Sequence, residues 1–197
     1  METTEHEILA RARSGDELAF RTIIEKYESR ISATVTGILG FSADVDDIGQ
    51  ETFVRFYQSI HRFRGDSSIG TYLTRIAINL SLNELKRRKR EERLRPEDMP
   101  GYPPPGPRSG RSGEGDRATD ARVVVQRGLQ MLDPKFRTVL VLRLMDGYST
   151  RETAEMLQLP LGTVLSRLAR GQARMREILD AIDDKGDGYK GEGDGCG

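Results

Sequence analysis

Residues 96–120 form a stretch rich in proline and glycine that divides the chain. It reads PEDMPGYPPPGPRSGRSGEGDRATD and holds six of the eight prolines in the sequence, together with five glycines. Because such a stretch has little apolar surface to offset the entropy cost of ordering it, we expect a flexible, extended linker. Residues 181–197 are rich in glycine and acids, and we expect a disordered tail there. Two compact segments remain, residues 1–95 and residues 121–180.

The first segment is predicted to be helical throughout. Apolar residues recur at helical spacing in three stretches, which are separated by GILGFSAD and by RFRGDSS. Ser14 and Glu17 have the spacing of a capping box, which predicts that the first of these helices begins there. We find no alternating pattern of useful length that would indicate a strand.

The caps and turn residues of the second segment predict a helix-turn-helix. Asp133 followed by proline is typical of a helix start. Ser149 and Glu152 have the spacing of a second capping box that opens a short helix. The residues QLPLG then turn the chain, and Thr163 is predicted to cap a longer helix. The predicted fold class is therefore all-α, with two small helical domains joined by a flexible linker and the second domain a helix-turn-helix.

The longer helix of this motif carries a basic face. The whole chain has 31 basic and 31 acidic residues, but residues 121–179 hold ten of the former and five of the latter. Arg167, Arg170 and Arg174 are spaced at i, i+3 and i+7, which places them on one side of a helix. Arginines there can pair with phosphates or hydrogen-bond to guanine in the major groove. A solvated basic face is the common alternative, but the position in a helix-turn-helix favours DNA binding.

A second polar stripe lies on the third predicted helix of the first segment. Its members are Arg75, Asn79, Asn83 and Lys86, at spacings of 4, 4 and 3. Asparagine is a poor helix former but a good partner for exposed base edges. Upstream, Phe63 and Tyr72 are interleaved with Arg62 and Arg64, a pattern typical of surfaces that bind single strands. For Phe63 the residues alone favour a core position over a DNA contact.

The acidic residues do not form a recognisable catalytic or metal site. Asp44, Asp46, Asp47 and Glu51 lie on or near one predicted helix, but no histidine or cysteine accompanies them. An acidic face that meets a basic helix of a partner is the better interpretation. The sequence has no phosphate-binding glycine loop, nucleophile elbow or dinucleotide fingerprint, so neither an enzyme nor a cofactor is predicted.

The sequence also argues against a membrane or secreted protein. No apolar run is long enough to span a bilayer, and the N-terminus lacks a signal-peptide core, so we expect no membrane insertion. The single cysteine, Cys196, excludes an intrachain disulfide framework. We therefore expect a cytoplasmic protein.

Two blocks of the sequence resemble the extracytoplasmic-function (ECF) group of bacterial sigma factors. The block DVDDIGQETFVRFYQSIHRFRGDSSIGTYLTRIAINLSLNELKRR is similar to the promoter −10-binding domain of that group. The block LDPKFRTVLVLRLMDGYSTRETAEMLQLPLGTVLSRLARGQARMREIL is similar to its −35-binding domain. Tyr72 stands where the family usually has tryptophan, and Gln158 stands where the turn usually has glycine.

The resemblance implies a sigma factor that directs core RNA polymerase to promoters and helps to melt the −10 region. It implies docking of the residues DDIGQETF on the clamp of the β′ subunit, and our candidate residues there are Asp46, Asp47, Gln50, Glu51 and Phe53. Our candidates for capture of the melted −10 strand are Arg62, Phe63, Arg64, Tyr72, Arg75, Asn79, Asn83 and Lys86. Our candidates for reading the −35 element are Thr163, Ser166, Arg167, Arg170 and Arg174. Further expected partners are the β flap of the polymerase and an anti-sigma factor.

The linker length is compatible with a two-site reader. Twenty-five extended residues reach on the order of 75 Å, which exceeds two helical turns of DNA at about 34 Å each. Two alternatives stay open at the level of sequence. One is a stand-alone transcriptional regulator that binds duplex DNA without polymerase. The other is an adaptor protein for which the basic stripes are incidental.

Overall fold

The computed structural model describes residues 4–94 and 117–187, and every regular element in these two ranges is helical. The chain divides into two compact units, Met1–Arg108 and Ser109–Gly197. The first contains α1 (Glu5–Arg13), α2 (Glu17–Leu39), α3 (Asp44–Ser59) and α4 (Ile69–Leu94). The second contains α5 (Arg117–Met131), α6 (Pro134–Leu140), a π-helical turn (Val141–Met145), α7 (Thr150–Leu157) and α8 (Leu161–Asp187). The prediction of an all-α fold is confirmed.

Two helices extend beyond the segment boundaries expected from composition. Helix α5 begins at Arg117, inside the stretch predicted as linker, because residues 117–120 contain neither proline nor glycine and can extend the helix backwards. Helix α8 continues to Asp187, inside the predicted tail, because no glycine follows Gly171 until residue 186. The rest of the predicted linker and tail, residues 96–116 and 188–197, lies outside the described residues.

Helices α2, α3 and α4 pack on one another around the core of the first unit. The central side chains are fully buried and are Ile31, Val35, Ile38, Phe56, Leu73 and Ala77. Phe56 also belongs to an aromatic cluster, with ring centroids 6.3 Å from Phe63 and 5.9 Å from Tyr72. Phe63 and Tyr72 are themselves 4.9 Å apart, within the range of favourable aromatic pairs. This cluster fixes the end of α3 against the start of α4.

The start of α2 differs from the sequence prediction, because α1 precedes it and Asp16 is its cap. Asp16 Oδ1 accepts hydrogen bonds from the backbone N–H groups of Leu18 and Ala19, at 3.0 and 3.1 Å. The Ser14 hydroxyl instead donates to the carbonyl of Arg11 at 2.8 Å and so closes α1. The predicted capping box of Ser14 and Glu17 is therefore wrong. An N-cap must directly precede its helix, and Asp16 has that position.

The second unit packs α6, α7 and α8 around a small core. Its centre consists of Val139, Ala154 and Val164, with Leu157, Leu159 and Leu168 partly buried against it. Asp133 caps α6 by accepting from the Lys135 N–H at 2.9 Å, as the sequence predicts.

Arg137 joins α6 to the end of α5. Its guanidinium donates to the Gln130 side chain at 2.6 Å and to the carbonyls of Gln130 and Leu132 at 2.8 and 2.9 Å. Burial lowers the pKa of Arg137 to about 10, which leaves the group charged at neutral pH. This arginine is part of the core and is not available to a ligand.

Candidate nucleic-acid and protein interfaces

The helix-turn-helix has well-defined local geometry. Ser149 and Glu152 form the predicted capping box: the Ser149 N–H donates to Glu152 Oε2 at 2.7 Å, and the Glu152 N–H donates to the serine Oγ at 3.2 Å. Helix α7 ends at Gln158, which adopts the left-handed conformation with φ 53° and ψ 46°. Glycine meets the least steric resistance there, so a glutamine at this position carries some backbone strain. The turn delivers Val164 of α8 into the core, fully buried.

The buried Val164 determines which side of α8 faces outward. Ser166, Arg170 and Arg174 are exposed, and Thr163 and Arg167 are half-buried at the edge of the same side. All five predicted residues of this helix therefore share one face. Thr163 does not cap the helix as predicted, because α8 already begins at Leu161 and the N–H of Thr163 donates to the carbonyl of Pro160 at 2.9 Å.

The arginine face of α8 ends in an ion pair. Arg174 Nη1 lies 2.9 Å from Glu177 Oε2, and both side chains are more than half exposed. Exposed pairs of this kind are weak, so Arg174 remains able to exchange its carboxylate for a phosphate. Arg167 and Arg170 have no acidic residue three or four positions away on the helix, so their charge is less compensated.

The polar stripe of α4 is solvent-facing and longer than the sequence prediction. Arg75, Asn79, Asn83 and Lys86 are all exposed, on the side opposite the buried Leu73, Ala77 and Ser81. Because α4 is a continuous helix to Leu94, Arg90 and Arg93 continue the same row at spacings of 4 and 3, and both are exposed. These two residues were missed, because KRRKREER resembles an ordinary solvated helix end.

In the loop between α3 and α4, two of the predicted residues are exposed to solvent and one is buried in the core. Arg62 and Arg64 are exposed, whereas Phe63 is 5% exposed and packs against Phe56 and Tyr72. The prediction that Phe63 contacts DNA directly is therefore corrected, since its ring belongs to the core. Tyr72 is half-buried and donates its hydroxyl to Ser59 Oγ at 3.2 Å, so only part of its ring is accessible.

Both ends of this loop are held in place. At the end of α3, the carbonyl of Ser59 accepts from the N–H groups of Arg62 and Phe63 at 2.8 and 3.2 Å. At the start of α4, Ser68 Oγ accepts from the Thr71 N–H at 3.1 Å. Gly65, with φ 84°, provides the bend between them. The exposed arginines therefore lie on a short segment with fixed ends.

The outer face of α3 carries the acidic residues. Asp46, Asp47 and Gln50 are exposed, and Glu51 is half-buried with its carboxylate 2.7 Å from Arg55 Nε. Phe53 is 8% exposed and points into the core, so its predicted role as a direct protein contact is also corrected.

Two exposed side chains on α3 were not assigned to this acidic face from the sequence. Val54 is 47% exposed and Tyr57 is 54% exposed, and they extend the row begun by Asp47 and Gln50. The signal for them was available in the sequence, since neither lies at the apolar spacing of Val45, Ile48, Phe53 and Phe56. An acidic face with an apolar extension suits a protein partner better than a nucleic acid.

The acidic helix and the basic helix are linked where α4 passes the start of α3. Arg88 donates to Ser42 Oγ at 2.9 Å, to Glu84 Oε1 at 2.9 Å and to the carboxylate of Asp44. Hydrogen bonds from Arg87, and then from Arg88, hold the pKa of Glu84 below its usual value. Helix α3 has no side-chain cap of its own, and Arg88 of α4 contacts its first turn through Asp44.

Two kinds of site are absent from the described residues. Within residues 4–94 and 117–187, no group of three or more His, Cys, Asp or Glu residues is placed to hold a metal ion. No helix in the same ranges has both the length and the apolar character needed to cross a bilayer.

Comparisons with known proteins match both units. Residues 23–91 match the family Sigma-70 region 2, and residues 122–175 match Sigma-70, region 4. The chain is 32% identical over 177 residues to the ECF RNA polymerase sigma factor SigW of Bacillus subtilis, which covers 87% of this chain and 94% of that protein. It is 29% identical over 194 residues to the RNA polymerase sigma-H factor of Pseudomonas aeruginosa, which covers 90% of this chain and 95% of that protein.

Solved structures give the same fold. The structure of CnrH in complex with the cytosolic domain of CnrY is 28% identical, with a TM-score of 0.62, and the match covers 88% of this chain and 96% of that one. The sigma factor RpoE in complex with the anti-sigma factor NepR from Bartonella quintana is 20% identical, with a TM-score of 0.63 over 82% of this chain and 96% of that one.

Proposed function

The chain belongs to the ECF group of bacterial RNA polymerase sigma factors, and we propose that its described surfaces divide promoter recognition into three tasks. As a member of this family it directs RNA polymerase to promoters and takes part in transcription initiation. The outer face of α3 binds core polymerase. The α4 stripe and the loop before it capture the melted −10 strand, and the arginine face of α8 reads the −35 element.

The observation that carries this assignment is the exposed row on α4. A helix whose exposed side presents an arginine, two asparagines and a lysine at successive turns offers both phosphate contacts and base-edge contacts. An ordinary solvated helix face would more often carry glutamate and lysine at these positions, because both are better helix formers than asparagine. The exposed Arg62 and Arg64 add backbone contacts at the start of the row.

The −35 assignment rests on the geometry of α8. The capped α7 and the turn at Gln158 fix α8 so that Val164 is buried and Ser166, Arg167 and Arg170 face outward. In proteins with this motif, residues near the N-terminus of the second helix contact base edges. Thr163 and Ser166 are in the first two turns of α8, and we assign them to contacts with phosphates or bases.

The polymerase assignment rests on the charge and composition of α3. Asp46, Asp47 and Gln50 are exposed on one side, and Val54 and Tyr57 extend the same row. We assign this face to the clamp of the β′ subunit and the second unit to the β flap. We also propose an anti-sigma factor as a regulatory partner, a cytoplasmic location with the polymerase, and action by binding alone, without catalysis.

Reconstitution with core polymerase tests the function as a whole. The full chain should co-purify with core enzyme and support run-off transcription from a subset of promoters selected from a random library. A stand-alone regulator would bind duplex DNA equally well without core enzyme, and an adaptor would direct no promoter-specific transcript. Either result would reject the assignment of tasks given above.

Two reciprocal variants test the −10 surface. With core enzyme present, Asn79→Ala should reduce the preference for one −10 strand over its complement more than it reduces overall affinity. Arg64→Ala should do the opposite, because a phosphate contact carries no sequence information. Fluorescence anisotropy with short oligonucleotides measures both quantities. If both variants keep the parental strand and sequence preference, the α4 stripe does not capture bases.

A further inference from the structure

The N-terminal helix α1 reaches the loop that precedes the −10 helix. It lies outside the family match, which begins at residue 23, and none of the predicted site residues belongs to it. Its last residue, Arg13, contacts the backbone where α3 ends and the loop begins. We propose that Arg13 is a positioning residue that holds this loop in the conformation that captures the −10 strand. The inference rests on the −10 assignment made above.

Helix α1 is anchored and does not trail from the domain. Thr4 and Glu7 form a capping box at its start, with the Thr4 N–H donating to Glu7 Oε2 at 2.8 Å. Leu9 and Ala12 are buried against the unit, at 6% and 2% exposed. Glu5 accepts a hydrogen bond from the Tyr27 hydroxyl of α2. Arg13 therefore extends from a helix that is held against the rest of the unit.

The contacts of Arg13 are with backbone carbonyls at the C-terminal end of α3. Its Nε donates to the carbonyl of Ile60 at 3.2 Å, and its Nη2 donates to the carbonyl of Phe63. Helix C-termini carry partial negative charge, and α3 has no basic residue in its last turn. Arg13 supplies that charge from another helix. Because its side chain is partly buried, water competes less for these hydrogen bonds than at an exposed site.

The two carbonyls lie on either side of Arg62, and the second directly precedes Arg64. Ile60 precedes Arg62, and Phe63 lies directly between Arg62 and Arg64. By holding the backbone on both sides of Arg62, Arg13 fixes the directions in which the two loop arginines leave the surface. Without it, the first end of the loop would rely on the Phe63 ring and on the carbonyl of Ser59, and binding a strand would have to order the loop first.

The chain offers a matched control on the same helix. Arg11 is also an arginine of α1, but it pairs with Asp16, 2.7 Å away, and its side chain is 55% exposed. Arg11→Gln removes the same charge from α1 without touching the loop. Arg13→Gln removes the forked donor, and Arg13→Lys restores the charge with a single donor group. All three are compared as full chains bound to core polymerase.

Three measurements distinguish a role of Arg13 in positioning the loop from a general role in stabilising the whole unit. These are the affinity for core enzyme, the ratio of affinities for the two −10 strands, and the rate of promoter opening reported by 2-aminopurine in the −10 element. Losing two hydrogen bonds to a charged group should lower −10 strand affinity on the order of tenfold in Arg13→Gln, while core affinity stays at the parental value. Arg13→Lys should be intermediate, and Arg11→Gln should stay within about twofold of the parent.

Several results would overturn the inference. One is an Arg13→Gln variant that captures and opens DNA as well as Arg11→Gln does. Another is a parallel loss of core binding and strand capture, which would make Arg13 a support of the whole unit. If Arg13→Gln does not fold, Arg13→Lys decides: reduced capture with full core affinity supports the inference, and parental capture overturns it. A parental chain without any strand preference would instead overturn the −10 assignment itself, and this inference with it.

Discussion

A pair of glycine-to-alanine substitutions tests the packing of α4, which carries the proposed −10 surface. Gly70 is buried in the first turn of α4, and a Cβ added there would lie 2.8 Å from Cε1 of Tyr27, where ordinary contacts begin near 3.4 Å. Tyr27 is only 9% exposed, and its hydroxyl is bound to Glu5. Burial, and then the Glu5 carboxylate, raise the pKa of Tyr27, so the hydroxyl stays protonated and keeps that bond. The ring therefore cannot move aside freely.

Gly49 is the matched site. It lies in the middle of α3, and an added Cβ would meet no atom within 4 Å. Overpacking at Gly70 should cost about 2–3 kcal/mol, offset by about 1 kcal/mol of improved helix propensity. The expected net loss for Gly70→Ala is thus about 1–2 kcal/mol, whereas Gly49→Ala should gain about 0.5–1 kcal/mol. The same chemical change should have opposite signs at the two sites.

Hydrogen exchange measured by mass spectrometry can determine these changes in stability for the first unit by itself. Peptides from α2 and α4 report opening of that unit, so the stability of the second unit does not enter the comparison. A global melting curve would combine two units and would not give a single free energy. If amide exchange in α4 is as slow in Gly70→Ala as in the parent, the Tyr27 ring yields to the added methyl group and Gly70 is not required for packing. Destabilisation by Gly49→Ala would show that α3 is crowded at that position.

Three further outcomes are expected. Arg170→Ala should weaken binding to the −35 duplex by about 1–3 kcal/mol and relax its sequence preference, and an equal loss on a scrambled duplex would reduce the role of this residue to phosphate contact. Replacing Asp47 and Glu51 together by lysine should weaken binding to core polymerase by several kcal/mol with unchanged circular dichroism, and parental binding would place the docking surface elsewhere. Hydrogen bonds from Arg87 lower the pKa of Glu84 below its ordinary value of 4.5. The ionised carboxylate therefore stabilises the fold above that pH, and this contribution is lost as the pH falls through the folded-state pKa of Glu84. Glu84→Gln should therefore flatten the acid side of the stability profile, and a slope as steep as the parent's would show that other carboxylates cause it.

The parts of the fold that depend on nearby residues could be read from the sequence. The capping box of Ser149 and Glu152 is present because the two partners are three residues apart and Ser149 directly precedes the helix. At the start of α2 the same rule failed, since Asp16 lies closer to the helix than Ser14 does. Helical periodicity also placed the α4 stripe on the exposed side. Local rules thus predicted elements and faces, but not the choice between competing caps.

The parts that depend on residues distant in sequence could not be read in the same way. The hydrogen bond from Arg13 to Ile60 joins positions 47 residues apart, and no local pattern marks Arg13 as different from Arg11. Phe63 lies among arginines, so the sequence left both a core position and a DNA contact open, and the packing of α3 on α4 decides for the core. Composition also misplaced the ends of α5 and α8, because a helix continues for as long as its residues permit.

The long helix α8 has a polarity along its axis. Its 27 residues, from Leu161 to Asp187, span about 40 Å. The outward arginines come first, and exposed Glu177 and Asp180 follow. The two halves of the exposed side therefore differ in charge, and only the arginine half is attracted to the phosphates of DNA. A regulator that pairs two such helices about a two-fold axis reads a palindrome, which looks the same from either side. Under the −35 assignment proposed above, a single α8 has no symmetry mate, so the element that it reads can be asymmetric and can specify a direction along the DNA.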